Sequence, residues 1–287
     1  MSTQVPRLLA GLVDDAAVFP PGSATLPDAV TAHRRHRAAR YADLVGPLLL
    51  PASAIAAGDL SDLVDPAEGY VVGLIGDTGI ERLPHALSFL PDGVTARQVE
   101  VAVAKRGEDP QPGLTELVKL AEQWRDTQVY AEIPLTFGLM GALDTVAGAR
   151  AAGLPIAAKF RTGGLAAELF PTPVELAAVI CACRDRELPF KLTAGLHHAI
   201  RHRDPETAFT HHGFVNVLAA TLAATEGVEV DAVAELLAAT DPVRPVERVR
   251  AHRDAERPLW VGYGSCSISD PLTDLIRLGL VNGGVEK

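Results

Sequence analysis

Eight short apolar runs alternate with segments of helical periodicity, and this alternation predicts a single (β/α)8 barrel over residues 1–287. Two further observations support it. The 287-residue length is close to the roughly 250 residues such a barrel needs. The middle runs also alternate with period two and carry charge on one face, as strands do when one side meets helices and the other meets the barrel interior. An open doubly wound sheet is the alternative, but no G-x-G-x-x-G follows an early strand. No linker, repeat or low-complexity tract divides the chain.

The first strand is placed near Leu12 to Phe19, ending in Pro20-Pro21-Gly22, and a helix follows from Leu26 to Asp43. Pro47 to Pro51 is the second strand, followed by a short helical stretch, and Tyr70 to Ile75 is the third. Helical sequence from Gly79 to Phe89 leads to a strand at Gln98 to Val103. Leu114 to Arg125 reads as a helix, Gln128 to Ile133 as a strand and Phe137 to Ala152 as a helix. Ile156 to Arg161 is a strand, Pro173 to Arg186 a helix and Phe190 to Ala194 a strand. Phe214 to Thr240 is helical with a break at Glu226-Gly227. Leu259 to Tyr263 is the last strand, and Pro271 to Leu278 the last helix. The longest loop beside a strand end runs from His197 to His212, and long ordered loops are often functional.

Composition excludes several functions. A net charge of -10 argues against general attraction to nucleic acid or anionic membranes. An anionic small molecule remains acceptable to a locally basic pocket. Cys181, Cys183 and Cys266 make neither a disulfide framework nor a C-x-x-C zinc pair, so a reducing cytoplasm is expected. Met1 to Leu12 lacks the pattern of a signal peptide, and no uncharged run reaches the roughly 18 residues of a membrane span. The expected partner is a small-molecule substrate, and a homo-oligomer is compatible with the fold.

Parity locates the candidate site. Ile156, Ala158 and Phe160 share one face, so Lys159 and Arg161 share the other. By the same alternation Lys191 and Thr193 oppose Phe190, Leu192 and Ala194. Glu132 opposes Val129, Ala131 and Ile133, and Glu100 opposes Val99, Val101 and Val103. Four consecutive strands therefore direct charge inward, where each charge needs a partner or water. In this fold, chemistry sits at the C-terminal ends of the strands. Lys159, Arg161 and Lys191 are expected to form a cationic cluster in which one lysine is depressed in pKa and attacks a carbonyl as a Schiff-base nucleophile. Glu100 or Glu132 would then be the general acid or base.

The segments Ala158-Lys159-Phe160-Arg161-Thr162-Gly163-Gly164 and Phe190-Lys191-Leu192-Thr193-Ala194-Gly195 resemble the paired strand ends of the deoxyribose-phosphate aldolase family of class I aldolases, over the last third of the chain. The resemblance implies a (β/α)8 barrel, a Schiff base at Lys159, Lys191 as the neighbouring lysine, and Gly262-Tyr263-Gly264-Ser265 as a phosphate-holding element. Phe160-Arg161 and Leu196-His197-His198 depart from the family pattern, and Glu100 stands where the family uses an aspartate. The resemblance therefore points to a lyase-type reaction rather than to a substrate, and no cofactor is required under it.

The histidine pairs His197-His198 and His211-His212, with Asp14-Asp15 after the first strand, offer a second reading: a divalent-metal site for a hydrolase or lyase. One aspartate of the pair should face inward; Asp15, His198, His212 and Ser265 are also candidates for substrate binding. His33, His36, His85, His202 and His252 are read as solvated. Asn216 is read as a cap or a ligand contact, and Cys266 as a packing residue without a partner. A third reading is an inert barrel that binds a small anion through Arg161, Lys159 and Lys191. Covalent trapping, metal stoichiometry and ligand-induced stabilisation separate the three.

Overall fold

The computed structural model describes residues 5–58 and 60–282; the first four residues of the segment read for a leader, and the last five of the chain, lie outside these. Eight strands close a barrel: β1 (Val13–Asp15), β2 (Val45–Pro51), β3 (Tyr70–Ile75), β4 (Val94–Ala102), β5 (Gln128–Glu132), β6 (Ile156–Arg161), β7 (Phe190–Thr193) and β8 (Trp260–Ser265). Each pairs in parallel with its sequence neighbours, and β8 closes the ring against β1. This is the predicted (β/α)8 fold, and the open-sheet alternative is excluded by closure.

The helices α1 (Leu26–Ala38), α2 (Ala52–Ala56), α3 (Leu83–Ser88), α4 (Gln111–Ala121), α5 (Leu139–Ala151), α6 (Pro173–Arg184), α7 (Phe214–Thr225), α8 (Val230–Ala238), α9 (Val243–Ala251) and α10 (Ser269–Arg277) surround the barrel. Local chemistry sets their ends. Thr25 caps α1 by accepting the Asp28 amide. Thr172 and Glu175 form a reciprocal capping box on α6, and Pro173 at its first position fits a site whose amide needs no partner. Eleven of the twelve residues of α7 are buried, because α7 packs against α6, α8 and α9. That second layer explains a helix sequence that is apolar on every side.

The differences from expectation are local. The first strand ends at Asp15, because Ala16 to Ser23 turns sharply around Pro20-Pro21. Helix α9 was not anticipated: it is rich in arginine and buries only Pro245, Val246 and Val249. A small antiparallel hairpin, His202–Arg203 with Thr210–His211, organises the long loop after β7. Among the described residues, no helix is long and apolar enough to cross a membrane.

Gly163 matters for the C-terminal mouth. A Cβ there would lie 2.8 Å from Gly195 Cα, so its absence lets the turns after β6 and β7 touch. Thr162 fastens the same junction by donating its hydroxyl to Ala194 O at 2.6 Å.

Candidate active site

The inward faces of five strands meet in one chain of alternating charge. Asp14 on β1 pairs with Lys191 on β7. Lys191 Nζ also reaches Glu100 Oε1 on β4 at 2.5 Å. The other oxygen of Glu100 lies 2.9 Å from Lys159 Nζ on β6. Lys159 then contacts Glu132 on β5 at 2.7 Å, and Arg161 Nε donates to the second Glu132 oxygen at 3.2 Å. Gln98 Nε2 adds bonds to Asp14 at 2.7 Å and Glu100 at 2.8 Å. Strand register builds this ladder directly, with Lys159 opposite both Glu132 and Lys191.

Electrostatics follows from the pairing. Burial pushes the Glu100 carboxyl up, but the ammonium groups of Lys159 and Lys191 outweigh it and hold the acid at about 2. Burial pushes both lysines down, yet their carboxylate partners prevail and raise each above its ordinary value. The expectation that the lysines depress one another is thus reversed: each sits between two carboxylates instead of against another cation. Glu132 is lowered, as Lys159 and Arg161 overcome its burial. Asp14 is raised, because burial exceeds the opposing pull of Lys191.

The ladder emerges at the C-terminal mouth. A cavity of about 660 Å³ lies beyond the ends of β4, β5 and β6, lined by Glu132, Arg161, Lys105, Leu139, Leu169 and Val179. That volume falls in the range of small-molecule sites. Glu132 is the link between interior and cavity: it binds Lys159 on one side and Arg161 on the other. The Arg161 side chain is 46% exposed and, among the described residues, is bonded only through Nε, so its terminal nitrogens can meet a ligand. Thr193 is half-buried opposite Arg161.

The remaining candidates are placed elsewhere. Asp14 is the inward aspartate. Asp15 lies on the other face of the three-residue strand, 3.0 Å from His33 Nδ1 of α1, which corrects both its assignment to substrate and the reading of His33 as solvated. Ser265 donates to Ser267 O at 2.6 Å, so its hydroxyl holds a turn rather than facing a phosphate. His212 is fully buried, 2.7 Å from Pro171 O and 3.2 Å from an Arg201 nitrogen. His198 contacts Asp274 at 3.2 Å, His211 faces Gly195 O at 3.3 Å, and His197 Nδ1 lies 3.7 Å from Cys266 Sγ, a partner the sequence did not suggest. His198 and His211 flank His202 with ring centroids 4.7 and 5.3 Å away, and His197 lies 6.5 Å from His211, but this cluster does not include His212, Asp14 or Asp15, and among the described residues no three His, Cys, Asp or Glu side chains are grouped to hold a metal ion. Asn216 neither caps α7 nor faces the cavity. It accepts from the Arg201 amide and donates to Leu236 O and Ala239 O, tying the β7 loop to α8.

Parity reasoning missed Lys105 and Arg106, which line the cavity from the loop after β4. Their signal was position, two basic residues just past a strand's C-terminal end. No family model, curated protein or solved structure matches this chain.

Proposed function

We propose that this barrel is a lyase-type enzyme that, at the C-terminal mouth, abstracts the proton next to the carbonyl of a small anionic metabolite, the resulting enolate then expelling a leaving group from the adjacent carbon. The observation that carries the reading is the position of Glu132, shared between the buried Lys159 ammonium and the cavity-facing Arg161. Arg161, with Lys105 and Arg106 nearby, binds the anionic group. Its engagement by the ligand loosens its hold on Glu132, which then serves as general base next to the carbonyl. The Lys159 ammonium stabilises the negative charge that develops on the carbonyl oxygen. The apolar wall of Leu139, Leu169 and Val179 excludes water from the reacting carbon.

A second reading is supported by the register of Lys159 beside Lys191: an imine at Lys159, preceded by transfer of its proton to Glu132. Borohydride reduction in the presence of small aldehydes and keto acids, with peptide mass spectrometry, separates the two. The first reading expects keto acids that raise the melting temperature, an effect lost in Arg161→Ala, and no reduced adduct on Lys159 at neutral pH. A stoichiometric Lys159 adduct would replace it with imine chemistry. No stabilisation by any keto acid or aldehyde would refute both.

A further inference from the structure

The opposite, N-terminal end of the barrel is also open. A cavity of about 490 Å³ is lined there by Arg97, Arg125, Arg257, Tyr130, Asp14 and Lys191, with Asp126 at its edge. In a barrel whose chemistry is at the other end, this face is ordinarily packed for stability. Here the strand register keeps it apart. Between Val72↔Ala96 and Gly73↔Gln98, β4 carries one extra residue, Arg97. Between Phe190↔Trp260 and Lys191↔Gly262, β8 carries Val261 as the extra residue. Between Val13↔Val45 and Asp15↔Leu48, β2 gains one residue at Gly46-Pro47. Bulges are rare in parallel pairs, widen a barrel rim and re-aim side chains. All three fall at the same end, and Gly46, Pro47, Arg97 and Val261 all line the cavity. Gly46 is required for it: a Cβ there would overlap Asp14 Oδ1 at 1.8 Å.

The lining is polar in one sense. Arg257 donates to four backbone carbonyls, those of Leu8, Ala10, Trp260 and Val261. It has no carboxylate within ion-pair distance among the described residues, so it contributes a fixed positive charge. Burial lowers its pKa to about 10, which leaves it cationic at neutral pH. Arg97, the bulge residue, is exposed and makes no hydrogen bond or ion pair within the described residues. Tyr130 is 7% exposed, and its hydroxyl makes no hydrogen bond within the described residues. The acidic groups do not cancel this field: Asp14 is already paired with Lys191 and Gln98, which leaves Asp126 alone against three arginines.

We propose that the N-terminal mouth is a second ligand site, for a small oxyanion carrying carboxylate or phosphate oxygens. Arg97 and the Tyr130 hydroxyl donate to the ligand, and Arg257 supplies the attracting charge. The site is about one barrel length from Arg161 and is independent of the chemistry proposed there.

Isothermal titration of the full chain with inorganic phosphate and with succinate, at constant ionic strength, tests it. The titrations are repeated in Arg161→Ala, which silences an anion at the other mouth, and in Arg97→Ala and Tyr130→Phe, whose folding is verified by circular dichroism. The expected result is one saturable site for at least one probe that persists in Arg161→Ala. It weakens about tenfold in Arg97→Ala, the loss of a charge-assisted bond, and several-fold in Tyr130→Phe. The probe that binds identifies phosphoryl or carboxylate oxygens as the recognised group. Absence of saturation by either probe below ~10 mM, a site lost in Arg161→Ala, or equal affinity in Arg97→Ala would overturn the proposal. None of these results bears on adduct formation at Lys159, so the two proposals fail separately.

Discussion

Replacing Glu100 by glutamine removes one negative charge from the middle of the ladder and leaves the shape almost unchanged. Glu100 is 1% exposed and, among the described residues, is the only group that contacts both buried lysines, at 2.9 and 2.5 Å. Two routes give the cost. Its carboxyl is held at about 2 against an ordinary 4.5, and at 1.36 kcal/mol per pH unit that difference is worth about 3 kcal/mol. Breaking a buried ion pair by neutralising one partner costs roughly 3–5 kcal/mol. The two agree on a loss of about 3 kcal/mol at pH 7, measured by urea unfolding. The sign of the pH dependence is fixed. A depressed carboxylate stabilises the fold above pH 4.5 and loses that contribution as pH falls toward 2. The gap between the native protein and Glu100→Gln should therefore narrow by about 1 kcal/mol between pH 6 and pH 4. A loss under ~1 kcal/mol at pH 7, or a gap that does not change with pH, would mean that Lys159 and Lys191 are neutral or hydrated, and the ladder argument would fail.

Three further outcomes are expected. His212 is buried and held at about 4 against an ordinary 6.5, chiefly by burial. The unfolded chain therefore binds its proton first, and stability should fall by about 3 kcal/mol as pH drops from 6.5 to 4; His212→Gln should lack this limb in pH-dependent urea melts. Asn216→Ala removes bonds of 2.9, 2.8 and 2.8 Å and should cost about 3 kcal/mol, with faster hydrogen exchange at the Arg201 amide as the specific sign. Glu132→Gln removes one of the two carboxylates that raise Lys159. Borohydride trapping on Lys159 should increase in this variant at a given pH, and an unchanged yield would show that Glu132 does not control the lysine.

The inward charges were legible because a strand reverses its side chains at every residue. Lys159, Lys191, Glu100 and Glu132 each sit in an unbroken apolar alternation, and all four point into the barrel. What alternation does not contain is which charge meets which, and that depends on register across strands. Hence five charges were visible, but Lys159, Arg161 and Lys191 read as a cluster of like charge when all five belong to a ladder of alternating sign. Asp14 and Asp15 were ambiguous because a three-residue strand gives no phase. Arg97 was invisible for a related reason: on the outward parity of β4, it is re-aimed by a bulge that no period-two reading predicts. The loop histidines were illegible because their partners come from afar; His198 meets Asp274, and His197 meets Cys266.

The ladder also constrains how the C-terminal site can work. Asp14, Lys191, Glu100, Lys159, Glu132 and Arg161 alternate in sign, so the set is neutral and no member can lose its charge without stranding a neighbour. The interior members are enclosed by partners on both sides, and the cost of stranding them is highest there. At the C-terminal mouth the terminal arginine faces the cavity with guanidinium nitrogens that make no bond among the described residues. An incoming anion can therefore replace Glu132 at Arg161, adding one negative charge at the exposed end of the ladder, and this exchange releases one carboxylate oxygen toward the ligand. Glu132 keeps its other bond, to Lys159, so the base is freed without leaving its position. A ligand lacking an anionic group would have to break the Glu132–Arg161 pair without replacing it. For this geometric reason, the barrel should discriminate charged carbonyl compounds from neutral ones before any chemistry begins.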